Sequence, residues 1–202
     1  MAMGGWVFDI MPADVDESSL KDEGAREYVL RIAEHKARSV CESAPPGSLV
    51  VAADTTVVDP LGSILAKPIH EQEAYEMLDR LRGRIHQVLT AVVVIRAPQG
   101  SIEREICATN VRMRSYSDDE IQAYIASGDP FDKAGGYAIQ HAEFHPVEAI
   151  TGCYANVVGL PICTLSRLLE SFGIETKVQV PAGCPSTHYT ACSICEQLDN
   201  NL

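Results

Sequence analysis

Two groups in this sequence are placed as if for chemistry. Asp54 ends the apolar run LVVAA (49–53), and Lys67 follows in LAKP. A carboxylate at the end of a buried strand is costly to desolvate, so such residues sit on turns, in pairs, or at a reaction centre. Between them lies DPLG (59–62), with proline second and glycine fourth, as a type I turn prefers. If it closes a hairpin centred between Pro60 and Leu61, Asp54 and Lys67 fall opposite each other, about 5 Å apart at Cβ. A bulge would shift that register, and a cross-strand ion pair of no catalytic consequence remains the alternative. A third charge, Lys36, falls on the apolar stripe of a predicted helix. Either its ammonium snorkels from the rim of the core, or it points into a cleft.

Other constellations are less specific. DVDES (14–18), which contains Glu17, clusters acids as a metal or phosphate–metal site would, and equally as a solvated loop does. DPFDKAGGYAIQ (129–140) sets Asp132 and Lys133 before Gly135 and Gly136 and ends on Gln140. Paired glycines let backbone N–H groups close on an anion, but the spacing is neither a Walker A loop nor G-x-G-x-x-G. Near the C-terminus Cys184, His188, Cys192 and Cys195 have spacings compatible with a Cys3His zinc site. A tail carrying free thiols is the simpler reading.

The elements that must position these groups follow from periodicity. Residues 24–41 form a helix with Val29, Ile32, Ala33, Ala37 and Val40 on one stripe. The strand at 49–53 comes next, then a helix over 71–82 with Ala74, Met77, Leu78 and Leu81 inward and Gly83 as its stop. Strand-like runs cover 86–95 and 103–116. Ser117 and Glu120 predict a capping box for a helix over 118–127, ended by Gly128. A short strand in GCYANVVGLP then leads into an amphipathic helix. Helices and strands interleave, so the expected fold is α/β, a mixed central sheet flanked by helices. One domain is expected over 1–173, with a cysteine-bearing tail over 174–202.

Composition narrows the partners. The 202 residues are 46% hydrophobic, with 16 Lys and Arg against 28 Asp and Glu, for a net charge of −12. Binding a nucleic-acid polymer needs a basic face, so that class is disfavoured; a small anion held by a few concentrated cations is compatible. No apolar run reaches the ~20 residues that span a bilayer, and the opening MAMGGWVFDIMPADVDES is unlike a signal peptide. Cys41, Cys107, Cys153 and Cys163 fall in apolar or helical segments and read as reduced core thiols of a cytoplasmic protein.

Taken together, VAADTTVV, LAKP, LRGRIHQVLTAVVV, GDPFDKAGGYAIQ and GCYANVVGLP resemble, in order and spacing, the motifs of the Maf family over about residues 5–172. The resemblance implies a nucleoside triphosphate pyrophosphatase that releases pyrophosphate and leaves the monophosphate. It further implies a fold akin to the inosine-triphosphate pyrophosphatases, a divalent cation such as Mg or Mn, and a homodimer. By position, Asp54 would be the proton acceptor that activates water, or would help place the metal. Lys36 and Lys67 match phosphate-binding lysines, and Glu17 matches an acid near the metal. Thr55 and Gln140 match positions tied to base choice, with Asp132 and Lys133 beside them in the substrate-binding motif. A glutamine ending AGGYAIQ resembles the branch acting on dTTP and UTP. The family has also been linked to arrest of septum formation, so a catalytically weakened nucleotide-binding regulator is the alternative. Three departures stand out. The family's opening strand and S-x-S-P-R-R loop would precede the point where this sequence starts, which leads to an expectation of weak activity. His141 stands where the family has glycine, and the tail has no family counterpart.

Overall fold

The structure is a computed structural model that describes residues 6–175. In chain order the elements are α1 (Ala25–Cys41), β1 (Leu49–Val58), β2 (Ile64–Leu65), α2 (Glu71–Leu81), β3 (Ile85–Arg96), β4 (Ile102–Met113), α3 (Asp118–Ala126), β5 (Val147–Thr151), α4 (Tyr154–Val158) and α5 (Ile162–Ser171). The strands form one sheet in the order β2-β1-β3-β4-β5. Helices flank a central sheet, as expected for an α/β chain. Every pairing among the described residues is antiparallel, so the parallel component of a mixed sheet is not found there. β3 and β4 are joined by a short hairpin, and the helical connections elsewhere return the chain in the opposite direction rather than as parallel crossovers.

The centre of the sheet explains how one sequence serves two faces. β3 is buried along nearly its whole length, so it reads as a continuous apolar run rather than an alternation. Its odd-numbered residues Leu89, Ala91, Val93 and Ile95 meet Val29, Ala33 and Ala37 of α1. Its even-numbered Val92 and Val94 meet Leu165, Leu168 and Leu169 of α5. The alternation places the α1 face and the α5 face one residue apart along the strand. A third cluster, under α2 and α3, joins Val57, Val88, Val111 and Met113 to Leu78, Tyr116 and Ile121.

The helix starts follow their sequence signals. Ser117 Oγ accepts from the Glu120 N–H at 3.2 Å while Glu120 Oε2 accepts from the Ser117 N–H at 2.8 Å, the predicted reciprocal cap. Two readings need correction. The hairpin does form, but Val57 pairs with Leu65 and Val58 with Ile64, so paired positions sum to 122 and not 121. The turn is closed by Gly62 N–H to Asp59 O at 3.0 Å, and Gly62 itself adopts φ +86°. A type I turn followed by a left-handed residue inserts one residue, a G1 bulge, and shifts the register by one. Asp54 and Lys67 therefore do not face each other across a ladder. The second correction concerns GCYANVVG, which was expected as a strand: β5 lies upstream of it, and residues 154–158 are helical. Gly152 at φ +127° turns the chain out of β5, and Gly159 at φ +113° ends α4. None of the described helices is long and apolar enough to cross a membrane. Cys184, His188, Cys192 and Cys195, and with them the zinc reading, lie outside the described residues.

Candidate active site

β2 pairs with β1 only at Val57 and Val58, so among the described residues the outer edge of β1 from Leu49 to Thr56 is unpaired. A cavity of about 360 Å³ lies along this edge. Because side chains alternate across the sheet, the edge presents Asp54 from the α1 face and Thr55 from the opposite face to the same cavity. Lys36, Lys67, Asp132, Lys133 and Gln140 also line it. Four segments far apart in sequence thus bring together every residue singled out as substrate-binding. Glu17 does not line the cavity but reaches it through Lys36.

Lys36 settles its two readings in favour of the cleft. It sits on the buried stripe of α1, yet its ammonium Nζ leaves the stripe and donates to Asp54 Oδ1 at 2.7 Å and to Glu17 Oε1 at 2.6 Å. Side-chain exposure is 21% for Lys36 and 10% for Asp54. The ends of this bridge respond differently to their surroundings. Two anionic partners outweigh desolvation at Lys36 and raise its affinity for a proton. At Asp54, burial is the largest influence and raises the carboxyl above the ordinary aspartate range, although Lys36 and Lys67 pull it down. Glu17, more exposed, is held below the usual glutamate range by its bond to Lys36. At Asp54 burial therefore outweighs the pull of the two lysines.

Asp59 shows by contrast what a structural acid looks like five positions along. Its Oδ1 accepts the N–H groups of Leu61 at 2.9 Å and Ser63 at 2.8 Å, and its Oδ2 accepts from Arg80 at 2.5 Å. One carboxylate oxygen of Asp59 is committed to the turn and the other to α2. Asp54, by contrast, accepts from the Lys36 ammonium at 2.7 Å and lines an open cavity.

The glycine loop has a different role from the anion cradle considered from sequence. Gly135 donates its N–H to Ala66 O and Gly136 to Lys133 O, both at 3.0 Å, so neither is directed to a ligand. A Cβ on Gly135 would lie 2.9 Å from Val57 Cγ1, and φ is +71°. Glycine is needed here for close packing of the loop on β1, which carries Asp132, Lys133 and Gln140 to the cavity. Lys133 is steadied by Asp132 Oδ1 at 2.6 Å and by Asp129 Oδ1 at 3.1 Å.

Sequence reasoning missed the rest of the wall. Val57, Val88, Tyr137, Ile139, Val157 and Val158 give the cavity an apolar side opposite its charged side. Tyr137 is fixed by a 2.7 Å bond between its hydroxyl and His86 Nε2. Burial drives His86 down to about 4 and Tyr137 upward, so both are neutral near pH 7. The signal was there in retrospect: a histidine in a strand that otherwise buries apolar residues needs a partner.

Oxygen donors suit a hard divalent cation, and Glu17 and Asp54 already converge on one positive centre, the Lys36 ammonium. Among the described residues no cluster of three or more His, Cys, Asp or Glu forms a protein-only metal cage. The set fits Mg or Mn of the kind held by one or two carboxylates together with substrate phosphates.

Known proteins resemble this chain over most of its length. The family described as Maf-like protein matches residues 1–172. A dTTP/UTP pyrophosphatase of Dehalococcoides mccartyi (strain 195) is 40% identical over 91% of this chain and 77% of its own. One of Thermomicrobium roseum is 43% identical, covering 98% and 86%, and one of Anaeromyxobacter dehalogenans 45%, covering 90% and 91%. The match over residues 1–172, together with relatives 40–45% identical over most of the chain, places this chain in the Maf family.

Proposed function

We propose that the protein hydrolyses nucleoside triphosphates, dTTP and UTP foremost, to the monophosphate and pyrophosphate. The observation that carries this reading is the buried Asp54, with a raised proton affinity, between cations on the charged wall of a cavity whose other wall is apolar. A triphosphate fits the charged wall and a base the apolar one. The names of the relatives, dTTP/UTP pyrophosphatase, support the substrate class.

Asp54 takes a proton from the attacking water. A carboxylate whose proton affinity burial has raised is a stronger base than a surface aspartate. Lys36 and Lys67 spread cationic charge over the phosphate oxygens as negative charge redistributes towards the leaving pyrophosphate. Lys133 stands with them at the loop end of the cavity, while Asp132 fixes its ammonium. Thr55 and Gln140 face the space left for the base. A divalent cation bound by Glu17 and Asp54 would neutralise phosphate charge and polarise the phosphoryl group. A cytoplasmic location belongs to the same reading, supported by the burial of Cys41, Cys107, Cys153 and Cys163 in the core. So does a homodimer, supported by the exposed apolar residues Val7, Ile10 and Leu20 of the segment preceding α1.

The test is pyrophosphate release from dTTP and UTP with Mg or Mn, with product identified as the monophosphate. Turnover that stops on chelation and returns with metal is the expected result. Release of single orthophosphates, or tight nucleotide binding with no turnover, would favour a phosphatase or the regulatory alternative.

A further inference from the structure

Behind the apolar wall lies a buried polar relay that the reaction as described does not use. Thr55 pairs in register with Thr90 on β3, and their hydroxyl oxygens are 2.8 Å apart. Thr90, fully buried, donates to the backbone carbonyl of Asn156 at 3.0 Å. Asn156, also fully buried, uses its amide Nδ2 to donate to Val88 O at 3.0 Å and to Thr109 Oγ1 at 2.9 Å. Thr109 Oγ1 donates in turn to Cys153 O at 3.1 Å and accepts the Cys153 N–H at 3.0 Å. α4 is thereby pinned to the sheet, and its end, Val157 to Gly159, is cavity wall.

Proton counting gives this relay a direction. Each hydroxyl has one proton. If Thr90 gives its proton to Asn156 O, the 2.8 Å contact must be filled by the proton of Thr55, and both protons lie in short bonds. In the reverse arrangement Thr90 donates to Thr55, the buried 3.0 Å bond to Asn156 O is lost, and the Thr55 proton is left to the open cavity or to Gly159 O at 3.5 Å, too long for a good bond. The first arrangement wins. Thr55 then has no proton to offer the cavity and shows it lone pairs only.

We propose that Thr90 and Asn156 are positioning residues that hold Thr55 as a fixed hydrogen-bond acceptor, so that the cavity selects a base presenting a ring N–H. This rests on the reading of the cavity as a nucleoside triphosphate site. Uracil and thymine carry N3–H between two carbonyls; cytosine has a bare nitrogen at that position and meets the Thr55 lone pairs with its own. The relay thus gives a physical reason for preferring uracil or thymine over cytosine that depends on residues not in contact with the base.

The experiment compares UTP with CTP on the parent chain, Thr90→Val and Thr90→Ser, by kcat and KM and by calorimetric binding. Valine keeps the shape and branching of threonine but neither accepts nor donates. It frees the Thr55 proton to turn into the cavity. The parent prefers UTP, and Thr90→Val lowers the UTP/CTP ratio of kcat/KM about tenfold, the worth of one neutral hydrogen bond, chiefly through a higher KM for UTP. Thr90→Ser, which restores the hydroxyl, restores the ratio. A purely structural role would depress both substrates alike and leave the ratio in place. A parent with no UTP preference, or a Thr90→Val ratio within about twofold of the parent, overturns the relay. If the parent turns over neither nucleotide, the hydrolytic reading fails, and the binding ratio still decides the relay by the same criterion; binding of neither nucleotide ends both.

Discussion

Replacing Asp54 by asparagine keeps the shape of the side chain and removes its charge. Loss of a general base costs typically 10²–10⁴ in rate, so kcat for pyrophosphate release falls by about that factor. The effect on stability follows from the direction of the proton-affinity shift. Folding raises the pKa of Asp54, so the native state holds its proton more tightly than the unfolded chain does. The contribution of this group is therefore full below the unfolded value and is lost as pH rises through the folded one, leaving the desolvation of the carboxylate as a cost above it. Asparagine removes that desolvation cost, and Lys36 keeps Glu17 as a partner at 2.6 Å. The remaining loss is that of a partly exposed ion pair, about 0–1 kcal/mol. For a chain of this size that moves the melting temperature by no more than about 4 °C. The assay is pyrophosphate release with UTP beside a thermal melt. The acid limb of the parent pH–rate profile lies above the ordinary aspartate value and vanishes in the variant. A variant within tenfold of the parent rate refutes the base assignment, and a melting loss beyond about 10 °C refutes the account of Asp54 as a net cost.

Lys67→Ala lowers kcat/KM by about 10² or more through lost phosphate charge, leaving the acid limb nearly in place; the same kinetics on the parent and variant check both. Lys36→Ala costs at least as much and also removes the largest influence lowering Asp54, so the acid limb moves to higher pH, which a profile in the presence of saturating metal reads directly. Gly135→Ala forces a Cβ to within 2.9 Å of Val57 at φ +71°, with a destabilisation of about 1–3 kcal/mol visible in a denaturant melt.

The sequence made the elements legible because each carried a local signal. The stripe of α1, the capping box at Ser117 and the continuous apolar run of β3 each depend on neighbours within a few residues. The site was legible to a lesser degree. Lys36 stood out because a charge on an apolar stripe needs a reason, and the structure supplies two carboxylates. The hairpin failed by one residue because the left-handed Gly62 inserts a bulge, and strand propensity says nothing about that. The strand expected in GCYANVVG failed for a tertiary reason: Val157 and Val158 look like strand residues, but glycines at both ends and the buried Asn156 amide close a helical turn against the sheet. Thr90 was hidden inside LTAVVV, since an isolated threonine in a strand is ordinary until its partner across the ladder is known to be Thr55.

The charges explain how one cavity can be stable when empty and still receive a highly charged substrate. Glu17, Asp54, Lys36 and Lys67 sum to zero, and in the free protein the Lys36 ammonium spans the two carboxylates. An ammonium has three protons, and these bonds use two, so a third remains for a phosphate oxygen. A divalent cation arriving with the triphosphate raises the local sum to about +2, against the several negative charges of the polyphosphate, in a space where burial strengthens each interaction. A cation held by Glu17 and Asp54 would share these carboxylates with Lys36 and would leave more of its ammonium to the phosphates. Lys36 is in this sense both the counter-ion that keeps the empty site folded and a ligand for the substrate. A glutamine at that position could hydrogen-bond the carboxylates but would leave their two negative charges without a cation beside them.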